Sequence, residues 1–498
     1  MKLKDRVKTA MRNFLEINTP QGVSVNIEQK MDFDAEVFKN SLWYRGRANE
    51  LQQFYAATDD GIGNQHFWGS SPSTGMKIRK IHTGLPGLIV DTLTAVCTDD
   101  LNGISVQARQ DEWSGIAEEN EFEELIAEAV KHVLALGDGA FKLSYDSAIS
   151  EKPIIEFYPA NRVEFEYSRG RLVAVIFKTL KEAGQKKYLL KERYAKGSIT
   201  YSLETPEGKE TELNVLADSE SYRPIEFDKK LLPAVPLMFR KSTVHKGRGK
   251  SIFDLKHDNF DAFDEVVSQW MLAVRKGQIK TYIPSNLIPR NEEDGELFTP
   301  NDFDNDYIEV EGDMREDGSN TIKTTQGEIQ HDALLSTYCT ILDLCLQGII
   351  SPSTLGIDVK KLDNADAQRE KEKTTLYTRN MVVSVLEKVI PRVVEAALRF
   401  SDNLGNKEYE KTEITVNFGG YANPSFEAQV VTVGMAATYG IMSTETVVEE
   451  IYGDSKDKEW KAEEVRRIKK EKGIEEIAEP AVNDDVLGNK PIGFVINE

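Results

Sequence analysis

The densest chemistry in this 498-residue chain lies between positions 292 and 317. Glu292, Glu293, Asp294, Glu296, Asp302, Asp304, Asp306, Glu309, Glu311, Asp313, Glu316 and Asp317 face only Arg315, a net −11 in 26 residues. Within the run, Asp302-Phe303-Asp304-Asn305-Asp306 has the 1-3-5 oxygen spacing of a calcium loop. Such a loop needs glycine at position 6, where Tyr307 stands, and glutamate at position 12, where Asp313 stands. The run therefore reads as a solvated acidic insert before it reads as a cation site. A two-metal nuclease site is weaker still, because a run of this kind fixes no ligand geometry. Other catalytic signatures fall short. Arg248-Gly249-Lys250-Ser251 resembles the end of a phosphate loop, but Val244 occupies the place of its first glycine. Gly137-Asp138-Gly139 lacks the third glycine of a dinucleotide fingerprint. Neither HExxH nor GxSxG occurs. His66, His82, His132, His245, His257 and His331 show no ligand spacing and read as surface or internally satisfied groups. Cys97, Cys339 and Cys345 form neither a disulfide framework nor a zinc cluster, so they read as small buried residues in a reducing compartment. No cofactor, metal site or catalytic residue is expected.

Charge sets a further bound. Lys and Arg number 62 and Asp and Glu 83, a net charge of −21. That excludes a protein gripping nucleic acid through a broad basic face, which works by releasing counterions. It leaves open a protein that handles DNA without holding it. The basic residues nearest the acidic run are Arg275, Lys276 and Lys280, closing one long helix, and Lys360 and Lys361, in the loop after the next. Ordinary solvation and helix-end compensation account for both groups equally well. At the N-terminus, MKLKDRVKTAMRNFLEIN reads as an amphipathic helix. Leu3, Val7, Ala10, Met11, Phe14 and Leu15 share one face, and Lys2, Lys4, Arg6, Lys8 and Arg12 fill the rest. It lacks the apolar core of a signal peptide. Docking on the protein's own body or on a neighbouring subunit is expected rather than membrane binding. No apolar stretch is long enough to span a bilayer.

Periodicity outlines the elements that must carry these residues. Helices are expected at 35–57 and 84–98, separated by the loop GSSPSTG at 69–75, and at 121–136, ending at Gly137. From 140 to 245 the pattern alternates, with hairpin turns at Ser168-Arg169-Gly170 and Lys196-Gly197-Ser198, so this region is antiparallel β. The helical period returns at 252–276 and 332–349. Between them lie 277–330, with strand candidates IKTYIP, YIEVEG and NTIKTT. An antiparallel helix pair carrying a small β domain at its far end follows. A loop at 350–365 leads to a long helix, 366–400, with a kink expected at Pro391. A strand at 411–419 and helices over 425–473 complete the chain. There Ser443 or Thr444 starts a helix that Gly453 stops, and Glu463 and Arg467 stand at i,i+4 spacing. Residues 474–498 read as a flexible tail. The class is α+β and multidomain.

Five stretches in this order resemble a known family: WYRGRANELQQFY (43–55), ALGDGAFKLSYD (135–146), GKSIFDLKHDNFDAFDEVVSQW (249–270), ISPSTLGID (350–358), and STETVVEEIYGD with EEVRRIKKEKG (443–473). Together they are similar to the portal (head–tail connector) proteins of tailed double-stranded DNA bacteriophages, of the type found in long non-contractile-tailed phages of Gram-positive hosts. The likeness spans residues 40–473. It implies a portal fold with wing, helical stem, β-containing clip and helical crown. The N-terminal arm would be 1–40 and the wing 41–250. Stem helices would be 251–276 and 331–349, flanking a clip at 277–330. A tunnel loop at 350–365 would precede the rest of the wing, 366–424, and the crown, 425–473. The resemblance further implies a homo-oligomeric ring, usually of twelve subunits, at one capsid vertex. Double-stranded DNA would pass through it without sequence recognition. Partners would be the terminase large subunit, a head–tail adaptor, and the major capsid and scaffolding proteins, with no membrane. The setting would be the virion, and the host cytoplasm during assembly. On this reading Asp358, Lys360, Lys361 and Asp363 are tunnel-loop residues near DNA, and Arg275, Lys276 and Lys280 are basic stem residues. Glu292, Glu293, Asp294, Asp302, Asp304, Asp306, Glu309 and Glu311 are clip residues lining the channel or docking partners. Two alternatives stay open: a non-portal assembly or adaptor protein, and a carboxylate-dependent metalloenzyme using 292–317.

Overall fold

Gly46 sits at φ 66° and donates its N–H to Leu42 O, so the helix expected over 35–57 is two: α1 (Phe33–Arg45) and α2 (Ala48–Ala57). A left-handed glycine at this position ends a helix without a Cβ penalty. The computed structural model describes residues 32–58, 66–70, 78–184, 186–284, 288, 307–310, 323–357, 365–405, 407–419, 426–453 and 457–471. The N-terminal helix and C-terminal tail read from sequence lie outside these residues. The chain divides into two compact units, Met1–Gly419 and Gly420–Glu498.

In the first unit α3 (Leu85–Thr98), β1 (Leu101–Val106), α4 (Gln110–Glu119) and α5 (Phe122–Leu136) follow the first two helices. The sequence pattern did not announce β1 and α4. Strand β1 is short, carries Gly103, and owes its existence to pairing with β14, more than 300 positions onward. Helix α4 buries only Trp113 and Ile116.

Strands β2 (Asp138–Ser144), β3 (Ile154–Pro159), β4 (Val163–Ser168), β5 (Arg171–Ala183), β6 (Lys186–Ala195), β7 (Ser198–Glu204), β8 (Glu210–Thr211), β9 (Ile225–Glu226) and β10 (Ala234–Met238) occupy the alternating region. They form two antiparallel sheets, β10-β2-β3 and β4-β5-β6-β7-β8, with β9 also on β7. Ser168 pairs with Arg171 and Ala195 with Ser198, so both expected turns are two-residue hairpins. At the first, Arg169 (φ 51°) and Gly170 (φ 75°) are both left-handed.

Helix α6 (His257–Lys276) begins five residues later than its periodicity suggested, after a turn in which Leu255 adopts φ 67°. Then come β11 (Lys280–Pro284), β12 (Tyr307–Val310), β13 (Lys323–Thr325), α7 (His331–Leu346), α8 (Ala365–Leu404) and β14 (Ile414–Phe418). Lys280 thus opens β11 rather than closing the helix. Helix α8 continues through Pro391 without interruption. It buries Val382, Leu386, Ile390, Val393, Ala397 and Leu398 in the main core, together with α3, α5 and the α6–α7 base. Two arginines fix it: Arg379 donates to Val96 O, Gly419 O and Asp100, and Arg109 donates both terminal nitrogens to Asp402 at 2.8 Å.

The second unit contains α9 (Phe426–Thr438), α10 (Thr444–Tyr452) and α11 (Lys458–Glu471). Ser443 Oγ accepts from Thr446 N, and Gly453 follows the last turn of α10. Tyr452 meets Trp460 edge-on at 4.9 Å, Lys461 pairs with Glu449 at 2.8 Å, and Arg467 with Glu463 at 3.1 Å.

The two near-miss glycine motifs pack against each other. Asp138, fully buried, accepts from Arg248 Nε at 3.0 Å, Arg248 Nη2 at 2.9 Å and Gly249 N at 2.6 Å. Arg248 also donates to Val163 O and Ala160 O and stacks 3.9 Å from the Phe33 ring centre. A Cβ on Gly249 would lie 2.1 Å from Gly137 O, which explains glycine there. Burial raises the Asp138 carboxyl's proton affinity, and the Arg248 guanidinium opposes that. This joint ties α5 and β2 to the entry of α6, so the motif serves packing rather than phosphate. Arg248→Met strands a buried carboxylate and is expected to lower unfolding free energy by about 3–5 kcal/mol in urea denaturation. A loss under 1 kcal/mol, about the value of an exposed ion pair, would contradict the joint's role.

Candidate functional site

Helices α6 and α7 run antiparallel and differ sharply from end to end. The first half of α6 buries Phe260, Asp261, Phe263, Asp264 and Ser268, and the last turns of α7 bury Leu342, Cys345 and Leu346. No residue of α6 beyond Ser268, and none of the first eleven of α7, is buried. Rings bridge the pair along its length: Phe263–Tyr338 at 5.1 Å, Trp270–Tyr338 at 5.9 Å and Trp270–His331 at 5.9 Å. At the far end a Cβ on Gly277 would strike the Ile329 side chain at 2.4 Å, so glycine lets the departing and returning chains close together. Met271, Ile279 and Leu335 stand 43%, 55% and 41% exposed on this distal half.

The rooted half is held by polar atoms that sequence reasoning missed. Asp261 accepts from Phe67 N at 2.8 Å and Trp68 N at 3.2 Å. Asp264 accepts from Trp68 Nε1 at 3.1 Å and from Thr83 N and Oγ1, each at 2.9 Å, while His82 Nδ1 lies 2.6 Å from it. Ile81 N donates to Ser268 Oγ. Lys80 Nζ caps the carbonyls of Phe67, Trp68 and Ser70. One face of α6 therefore organises the chain on both sides of 71–77. Periodicity marks apolar faces, so nothing in it distinguishes these carboxylates from solvated ones.

Two further histidines have internal partners. His245 Nε2 lies 2.9 Å from Glu36, and His257 Nε2 lies 2.7 Å from Asn40 Oδ1. Burial, with the positive charges of Lys39 and His66 nearby, pushes the His257 imidazole well below its ordinary value. Cys97 and Cys345 are buried and Cys339 half-buried, all three unpaired, and burial pushes the Cys97 and Cys345 thiols up to about 12. Such thiols are not nucleophiles at neutral pH.

The distal end carries the basic residues. Arg275 and Lys276 form the last turn of α6. Strand β11 pairs parallel with β12 and antiparallel with β13. Lys280 and Tyr282 share one face of β11, and Lys323 stands directly opposite Tyr282. Lys323 is a cation that sequence reading did not single out. Glu309 lies in β12 with its backbone opposite Ile283. Glu292, Glu293, Asp294, Asp302, Asp304, Asp306 and Glu311, including the calcium-like spacing, lie outside the described residues, as do Asp358, Lys360, Lys361 and Asp363. Among the described residues no group of three or more His, Cys, Asp or Glu is placed to hold a metal ion. No described helix is long and apolar enough to cross a membrane.

The root of the second loop is well defined. Ser351 N donates to Thr375 Oγ1, Thr354 Oγ1 lies 2.9 Å from Thr375 Oγ1, and Thr378 Oγ1 donates to Ile349 O. Thr375 is fully buried. Two threonines of α8, absent from the sequence expectations, thus fix where the segment beyond Ile357 departs.

These features belong to a known class. The family described as "Phage portal protein, SPP1 Gp6-like" matches residues 34–477. The chain belongs to that family, a class of bacteriophage virion proteins at the head–tail connection. No curated protein sequence matches the chain. Among solved structures it is similar to a chain in "Neck of native GTA particle computed with C12 symmetry". That match has 13% identity over 75% of this chain and 91% of that one, with a TM-score of 0.38. A chain in "Virion of native gene transfer agent (GTA) particle" matches at 12% identity over 80% and 98%, with a TM-score of 0.38.

Two measurements check the root. Asp264→Ala orphans the Trp68 indole and Thr83 amide donors, at about 1–3 kcal/mol each. Cleavage by trypsin at Lys80 is expected to accelerate, and unchanged cleavage would contradict the pinning. For His257 the unfolded chain binds more protons than the folded one, so stability rises with pH. Below the unfolded value of about 6.5, stability is expected to fall by about 1.4 kcal/mol per pH unit. His257→Gln removes that component from the urea-midpoint profile; an unaltered slope would refute the assignment.

Proposed function

We propose that this chain is the subunit of a portal ring, of twelve copies, that occupies one capsid vertex and passes double-stranded DNA during packaging and ejection. The observation that carries the reading is the α6–α7 pair within a chain matched by the portal family over 34–477. Its base is built into the core, while its distal half keeps apolar residues that one chain leaves uncovered. Exposed apolar residues on both helices of one pair are suited to a partner, and copies of the same pair arranged around an axis would supply one. The helices, each about 25–30 Å long, would then form the stem around a channel.

On this proposal residues 41–250 and 366–424 form the wing, 277–330 the clip, 350–365 the tunnel loop and 425–473 the crown. The terminase large subunit and later a head–tail adaptor dock on the ring, and major capsid and scaffolding proteins surround it. The subunit itself catalyses nothing and needs no membrane. It works in the virion after assembling in the host cytoplasm. The acidic insert has a physical task in this setting. Duplex DNA carries one charge per about 1.7 Å of axis. A lining rich in Lys and Arg would hold it through counterion release, whereas repeated carboxylates keep it off the walls. Lys360 and Lys361 on the tunnel loop supply brief phosphate contacts.

Negative-stain microscopy of the purified chain is expected to show rings with a central hole. Met271→Asp with Leu335→Asp should abolish them while leaving the circular dichroism spectrum unchanged. A monodisperse monomer from the unaltered chain would favour an adaptor. Replacing Asp302, Asp304 and Asp306 by Lys is expected to impair DNA packaging or adaptor docking; normal packaging and tail attachment would refute the role given to the insert. Stoichiometric Mg²⁺ or Ca²⁺ binding lost on Asp304→Ala would favour the metalloenzyme.

A further inference from the structure

A groove of about 480 Å³ runs between β1, α4 and the start of α5. Its floor is apolar, with Ile104, Trp113, Ala117 and Phe122. Its rim is formed by Glu118, Glu121, Glu123 and Glu124, all exposed. Residues 110–124 contain seven carboxylates and no Lys or Arg. Glu112 is paired with Arg109, and Glu119 faces Lys152 at 3.6 Å. The four rim glutamates have no described cation within ion-pair distance. Glu121 also holds a left-handed conformation, φ 46°, which keeps the rim turned around the groove. An occupant must therefore be apolar on one side and cationic on the other. The same rim excludes phosphate-bearing ligands, nucleic acid and anionic membranes among them.

The chain itself carries a segment of that description. In residues 1–18, Leu3, Val7, Met11 and Phe14 share one helical face, and Lys2, Lys4, Arg6, Lys8 and Arg12 outnumber Asp5 and Glu16. We propose that residues 1–18 dock as an amphipathic helix in the α4–α5 groove of their own subunit, apolar face down, with the basic face against the rim glutamates. Reach supports the intramolecular assignment. Phe33 lies on Arg248, which binds Asp138 just beyond the C-terminal end of α5, whereas the groove lies at its N-terminal end. Helix α5 has 15 residues and spans about 22 Å. Residues 19–31 can extend to about 43 Å. The docking does not depend on the ring.

A cysteine pair in the full-length chain, Met11→Cys with Ala117→Cys, tests it under mild oxidation. An intramolecular disulfide is expected, read as faster migration on a non-reducing gel and a mass lower by two hydrogens. Changing the four rim glutamates to lysine should slow its formation about tenfold, as four exposed ion pairs would. Reversing the five basic residues of the segment in that background should restore it. The rim positions are exposed, so an unchanged circular dichroism spectrum separates lost docking from lost folding. Three outcomes overturn the proposal: no disulfide, a disulfide only between subunits, or a rate indifferent to rim charge.

Discussion

The carboxylate of Asp264, 1% exposed, is the constraint on which the projecting half of the molecule depends. A buried carboxylate is tolerable only when its lone pairs are taken up. Here Trp68, Thr83 and His82 do so, from a segment about 180 to 195 positions earlier in the chain. Satisfying the charge therefore fixes the azimuth and height of α6 as well as its burial. An apolar contact would tolerate small rotations, but four donor atoms converging on two oxygens do not. Because α6 leaves the core about one turn after Ser268, a rotation at the root would swing the helix end and the β11–β13 sheet by several ångströms.

The Asp138–Arg248 joint has the corresponding role at the entry to α6. It places α5, β2 and the loop entering α6 in one rigid arrangement, and Thr375 and Thr378 do the same where α7 gives way to α8. Both strands of the projecting hairpin thus leave the core through hydrogen-bonded collars. The collars are polar and built from residues far apart in sequence. That gives orientation, which dispersion contacts alone supply poorly.

This also explains what was legible in the sequence. Local signals carried through: Gly137 ends α5, the two-residue turns sit at Arg169-Gly170 and Lys196-Gly197, and Ser443 caps α10. The paired helices around a β insert were readable because their stripes are long. Pairings across hundreds of residues were not, so β1 passed unseen without β14 beside it. The glycine motifs, already set aside as phosphate sites on sequence, have a packing explanation. Glycine at 137, 139 and 249 signalled close backbone approach, as it would around phosphate, but the approaching groups were the chain's own carbonyls and Phe157. The stripe of α6 was legible as apolar, yet Met271 and Val274 remain 43% and 39% exposed. In the proposed ring, neighbouring copies would cover that part of the stripe.

The charge makes the same distinction between chain and assembly. Of the net −21, the run from 292 to 317 holds −11, leaving −10 over the other 472 residues. At its root stand Arg275, Lys276, Lys280 and Lys323. Along the sequence the sign therefore changes from positive at 275–280 to negative over 292–317 and back to positive at Lys323. In one subunit, exposed charges are screened within about 8–10 Å at physiological salt. Repeated around an axis in the proposed ring, like charges from neighbouring copies add inside a confined, poorly screened space. A polyanion in such a channel meets attraction in one narrow band and repulsion in the next, so no position along its length binds it strongly. Whole-chain charge argues against a broad basic grip on DNA; in the proposed ring, its distribution would favour weak, sequence-independent passage.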